Sequence, residues 1–258
     1  MAKKAFMLVV ASLLTASLLI IGCSSDNDEG ADATDDASEV GTLEFNANGE
    51  DFVRQGFVSK DGWSVTFDHV YITLSNITAY QTDPPYDAHE DGKVEVKLDG
   101  IHTVDLAEGD ETAAPIFVGE ISDAATGHYN TIFWRMDRAD SGPSAGYSLV
   151  MIGIAEKDGH VEDFSIKIDS ICRYSCGEYV GDERKGILSE GSTADMEMTF
   201  HFDHLFGDAD IPADDELNLG ALGFEALLEM PEGGDPDINM AELHLGHVGE
   251  GHCFCECE

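Results

Sequence analysis

Trp63-Ser64-Val65-Thr66-Phe67-Asp68-His69-Val70-Tyr71-Ile72-Thr73-Leu74-Ser75-Asn76-Ile77 decides the fold class of this chain. Apolar and polar residues alternate along it with a period near two, and β-branched and aromatic side chains dominate the apolar positions. That is the pattern of a half-buried strand, since successive side chains of extended chain point to opposite faces. Outward from it the same pattern recurs. Thr42-Leu43-Glu44-Phe45-Asn46 alternates before it, and Val94 to Leu98, Ile116 to Glu120, Tyr129 to Met136, Tyr147 to Ala155, Val161 to Ile168 and Ala194 to Phe202 follow. Asp61-Gly62, Asp91-Gly92 and Asp158-Gly159 supply turn chemistry between runs, the last of them placed between alternating runs as in a hairpin. Many short strands separated by turns predict a mainly β fold, an antiparallel β-sandwich over residues 40–206.

Beyond residue 206 the pattern changes. Asp214 to Met230 opens with acids and spaces Leu217, Ala221, Phe224 and Leu228 at helical intervals before Pro231, which predicts one helix. A second short helix is predicted over Ile238 to His244. Residues 207–258 therefore read as a helical and loop appendage capping one end of the sandwich.

The N-terminus is of another kind. Lys3 and Lys4 precede an apolar run from Phe6 to Ile21, broken by Ser12, Thr15 and Ser17, and Gly22 then precedes Cys23. This is the layout of a signal peptide over residues 1–22. The run is short for a transmembrane helix, which needs about 20 apolar residues. Ile20-Ile21-Gly22-Cys23 resembles the lipobox of bacterial lipoproteins. The resemblance implies lipidation of Cys23, cleavage before it and stable membrane anchoring by several acyl chains; Ser24 next to it fits delivery to the outer membrane. Ser24 to about Glu39 (SSDNDEGADATDDASE) has almost no large apolar side chain, so it cannot bury enough surface to offset the entropy of ordering and reads as a disordered acidic tether.

A second resemblance concerns the folded part. Val65 to Ile72, then Thr103-Val104-Asp105-Leu106, then Gly127-His128-Tyr129-Asn130-Thr131-Ile132 are similar in order and character to segments of uncharacterised bacterial lipoproteins with a prealbumin-like or immunoglobulin-like sandwich. It implies a sandwich and carries no activity with it.

The chain holds 13 basic against 52 acidic residues, a formal net charge of −39. Such a charge excludes nucleic acid and anionic headgroups as partners and favours cations. Sequence signatures of phosphate-binding loops, nucleophile elbows and haem attachment are missing, and the EF-hand pattern beginning at Asp208 is broken by Pro212 and Ala213.

Five of the ten histidines fall in the last fifty-eight residues: His201, His204, His244, His247 and His252. His201 and His204 stand where a strand gives way to a loop, with Asp203 between them. His244 and His247 are three apart at a predicted helix end, a spacing that places two rings on one helix face. Two such pairs make a tetrahedral or five-coordinate site for zinc or copper. In that expectation His201, His204, His244 and His247 are ligands, while Asp203 and His252 complete or orient the shell.

Apart from Cys23 the cysteines are Cys172, Cys176, Cys253, Cys255 and Cys257. Outside the inner membrane paired cysteines form disulfides. A bond from Cys172 or Cys176 to the tail would staple the C-terminus to the sandwich; Cys176 with Cys253 is the expected pair, although spacing alone leaves connectivity open. The alternative is a soft-metal cluster of Cys253, Cys255 and Cys257 with His252. The function expected from all this is non-enzymatic: a lipid-anchored periplasmic or surface protein that handles zinc or copper and touches the membrane through its lipid. Its alternative is an envelope interaction module whose sandwich loops bind a protein or glycan without metal.

Overall fold

A computed structural model of the chain describes residues 39–82, 92–177, 185–248 and 251–258. The signal segment, Cys23 and the tether as far as residue 38 lie outside the described residues, as does Asp91 of the second turn signal. Among the described residues no helix is long and apolar enough to cross a membrane.

The fold is mainly β. Its first half holds β1 (Val40–Asn48), the short helix α1 (Glu50–Gln55), β2 (Phe57–Val58), β3 (Ser64–Gln81), β4 (Val94–Asp105), β5 (Ile116–Ala125), β6 (Gly127–His128) and β7 (Thr131–Met136). Then come β8 (Leu149–Lys157), β9 (His160–Ile168), β10 (Cys172–Gly177), β11 (Ile187–Leu188) and β12 (Thr193–Phe200). The remainder holds helices α2 (Asp203–Phe206), α3 (Glu216–Gly220) and α4 (Phe224–Glu229), a 3-10 turn (Met240–Leu243), and strands β13 (Gly246–Val248), β14 (Gly251–His252) and β15 (Phe254–Cys257). One sheet runs β14-β13-β12-β1-β5; a second runs β15-β10-β7-β3-β8-β9, with β2 and β4 also paired to β3; and β6 pairs with β11 in a small two-stranded sheet. Among the strands of the described residues, pairing is antiparallel except between β1 and β12.

The sandwich closes because its central strands keep an apolar side inward. In β1 the alternation is strict, with Leu43, Phe45 and Ala47 buried, and the latter two lie in register with Met196 and Met198 of β12. The decisive strand, β3, does this over eighteen residues only by slipping phase twice. Val65 faces the core, then Asp68 and His69 are both exposed at a register shift against β8, after which Val70, Ile72 and Leu74 face inward. A second shift falls at Asn76, whose φ of 50° is tolerated by asparagine, and Ile77 and Ala79 then face the core. Each bulge inserts one residue and so reverses which parity points inward, letting one long strand bend while serving one core. The hairpin of β8 and β9 turns on Asp158 (φ 54°) and Gly159 (φ 79°), the conformation a type I′ turn demands.

Residues 207–258 do more than cap. The single helix predicted over 214–230 is two helices, α3 and α4, separated at Ala221 to Gly223. Gly223 takes a φ of 90°, the Leu205 carbonyl accepts from the amides of Leu222 and Gly223, and the Lys60 ammonium donates to the carbonyls of Asn218 (2.8 Å) and Ala221. These partners hold a break that helical spacing conceals, and they turn Leu227 rather than Leu228 into the core. The carboxylate of Asp61 receives the amides of Phe224 (3.1 Å) and Glu225 (2.9 Å) at the start of α4. The second predicted helix is the 3-10 turn. The chain after it returns as strands to both sheets, β13 beside β12 and β15 beside β10.

β10 and β15 are cross-linked twice, Cys172 to Cys257 and Cys176 to Cys253. Register explains both bonds: Cys172 lies opposite Cys257 and Tyr174 opposite Cys255, so alternate residues of the two strands meet on one face. Cys255 remains a free thiol. The alternative cluster of Cys253, Cys255, Cys257 and His252 is thereby corrected, because two of its three sulfurs are committed to disulfides.

Candidate metal centre

The site forms where β12 ends. Phe200 is buried as the last strand residue, and the amide of His201 donates to the Leu245 carbonyl (2.9 Å), which ties this end to the chain entering β13. The backbone then turns into α2, with Phe202, Leu205 and Phe206 driven into the core and His204 left on the opposite side, its amide held by the Asp203 carboxylate (3.0 Å). His247 lies on β13 directly opposite Thr199 and is 3% exposed.

Three imidazoles therefore converge from three short segments. The rings of His201 and His247 are stacked, 4.1 Å between centroids and 9° between planes. His204 stands edge-on to both, at 5.7 Å and 4.9 Å. One ligand nitrogen from each of the three lies within 4.8 Å of the others. A tetrahedral zinc with nitrogens at about 2.0–2.1 Å spaces them about 3.4 Å apart, so completing the geometry requires the His201 and His247 rings to rotate out of their stacked arrangement.

Backbone carbonyls set the proton positions. A carbonyl only accepts, so the 3.2 Å contact of His204 Nδ1 with the Leu243 oxygen puts the proton on Nδ1 and the lone pair on Nε2. The 2.9 Å contact of His247 Nε2 with the His244 oxygen likewise leaves the lone pair on Nδ1. Imidazoles whose distal N–H is held by a carbonyl are the usual form of metal-ligating histidine.

His244 is the correction here. It ends the 3-10 turn in the left-handed region (φ 47°, ψ 41°), which aims its carbonyl at His247 and leaves its exposed ring outside the convergent trio. The three-residue spacing that suggested a shared helix face does not apply, because the helix has stopped. His252 pairs with His247 through the β13–β14 ladder, but its side chain lies outside the described residues. Asp203 is outside the trio as well; it is the first residue of α2, its carboxylate accepts from the His204 amide, and its charge acts on Glu50.

One residue was missed. Glu50, first in α1 and at a φ of 57°, places Oε1 at 3.5 Å from His201 Nε2. Burial pushes its carboxyl up from the usual range, and the neighbouring negative charges of Asp203, Glu197 and Asp51 add to the shift. The parallel register pairs Asn48 with Thr199, so two residues onward Glu50 meets His201. Negative charges gathered around Glu50 beside three imidazoles make a local field that a dication relieves. On the other side, His204 and His244 line a cavity of about 570 Å³ with Glu216 and Glu242 on its walls.

Comparison of the chain with protein-family models, with curated proteins and with solved structures found no match. The reading of the site therefore rests on its geometry.

Proposed function

We propose that this chain is a lipid-anchored protein of the bacterial cell envelope that binds a transition metal, zinc or copper, for handling or delivery rather than catalysis. The observation that carries the reading is the convergence of His201, His204 and His247, with ligand nitrogens within 4.8 Å and two of the rings oriented by backbone carbonyls. Glu50 is placed to complete the shell or to hold His201, and Glu216 and Glu242 on the walls of the cavity beside His204 favour a cation there. The anchor is carried by the Ile20-Ile21-Gly22-Cys23 stretch, and the outer membrane by Ser24 after it.

Elemental mass spectrometry on the untagged chain after dialysis tests the site. About one equivalent of zinc or copper is expected, lost in the variant carrying His201→Ala and His204→Ala. No bound metal, even after both ions are offered, overturns the proposal and leaves an acidic sandwich whose partner is a protein or glycan. A diacylglyceryl group found on the peptide that begins at Cys23 would establish the anchor.

A further inference from the structure

The sulfur atoms at the end of β15 form a second centre that the histidine site does not use. Cys255 Sγ lies 3.8 Å from Cys257 Sγ, and the sulfurs of Cys172, Cys255 and Cys257 all lie within 4.8 Å of one another. A trigonal ion with metal–sulfur bonds near about 2.3 Å needs sulfurs about 4 Å apart. Only the bond between Cys172 and Cys257 keeps the trio from being a ligand set.

The two disulfides are not equally protected. Cys172, Cys176 and Cys253 are 0%, 1% and 5% exposed, whereas Cys257 is half-buried beside the terminal residue. A reductant arriving from solvent therefore meets Cys257 first, while Cys176–Cys253 keeps β15 attached to β10.

We propose that a dithiol reductant opens Cys172–Cys257 and so creates a site for a soft monovalent ion of the Cu⁺ class, held by Cys172, Cys255 and Cys257. One thiolate of the reductant attacks Cys257 Sγ; the disulfide breaks, and Cys172 leaves with the electron pair and takes up a proton. The second thiol of the reductant attacks its own sulfur in the mixed disulfide, closes a cyclic disulfide and releases Cys257 with a proton. The reductant loses two electrons and the chain gains them. Binding then exchanges three thiol protons for one Cu⁺, the ion that thiolates select. This centre stands independently of the histidine trio.

The test uses the full chain in detergent. It is treated briefly with dithiothreitol under anaerobic conditions and desalted, and its thiols are mapped by alkylation and mass spectrometry. Cu⁺ is then offered against a bathocuproine competitor. Alkylation is expected at Cys255 alone among these five cysteines before reduction, and at Cys172, Cys255 and Cys257 after it. The reduced chain is expected to retain about one Cu⁺, and Cys255→Ser, which leaves both bridges able to form, is expected to lose it. The variant carrying His201→Ala and His204→Ala is expected to retain Cu⁺ after reduction, which separates this centre from the histidine site. Opening of Cys176–Cys253 first, failure of the reduced chain to retain Cu⁺, unchanged retention by Cys255→Ser, or loss of Cu⁺ in the histidine variant would each overturn the proposal.

Discussion

Replacing both cysteines of one bridge by serine is expected to cost much less than the length of the closed loop suggests. Taken alone, Cys172–Cys257 and Cys176–Cys253 close loops with sequence separations of 85 and 77, and chain entropy for such loops gives about 4.5 kcal/mol each. They are nested, however. With either in place, the other closes only the ring made of residues 172–176 and 253–257, about ten residues, which gives about 2.7 kcal/mol. Losing one bridge should therefore cost about 2.7 kcal/mol and losing both about 7, so that the second loss is the heavier. Guanidinium unfolding of the two double-serine variants and the quadruple one, read as midpoint and slope, checks this. Single losses near 4.5 kcal/mol, or a quadruple variant no worse than either double one, would refute the nested-loop reasoning. The same arithmetic leaves a domain with only Cys172–Cys257 opened folded, given typical stabilities of about 5–15 kcal/mol.

Two further outcomes are expected. Glu50→Gln should weaken zinc binding by about 10–100-fold, the usual effect of losing a residue that orients a ligand, and metal-competition titration reads it; unchanged affinity would remove Glu50 from the site. Burial of Asp61 works against its ionisation, but the Glu225 amide, the Ser59 hydroxyl and the Phe224 amide outweigh it and hold its carboxyl below the usual 3.8. Its stabilisation of α4 is accordingly present above that value and lost as pH falls through Asp61's own lower pKa. Asp61→Asn should cost about 1 kcal/mol at neutral pH, as losing a cap does, and should flatten the acid limb of a stability–pH profile.

The sandwich was legible where local pattern and turn chemistry agreed. The β8–β9 hairpin is written in two alternating runs around Asp158-Gly159, and β1 keeps one phase from end to end. β3 was legible as a strand but not as a bent one, because its phase slips look like ordinary polar residues. The tail strands were not legible: β13 to β15 are two to four residues long and owe their extended state to pairing with β12 and β10, which no short window contains. Helical spacing misled over 214–230, where Lys60 and Leu205 stabilise a break from afar. For the site, clustering of histidines in the sequence pointed to His201, His204 and His247, whose rings do meet. Glu50 was out of reach because only the parallel β1–β12 register brings it there.

That parallel pair also bears on how the protein comes into being. β1, near the start of the folded part, sits between β5 and β12 and finds its second neighbour only after some 150 further residues have been made. In the second sheet, β10 waits for β15 and for two cross-links that span sequence separations of 85 and 77. Assembly that depends on such distant pairings is slow and leaves strand edges open to other chains meanwhile. A formal charge of −39 is a safeguard in that interval, since emerging chains repel one another before their own strands have met.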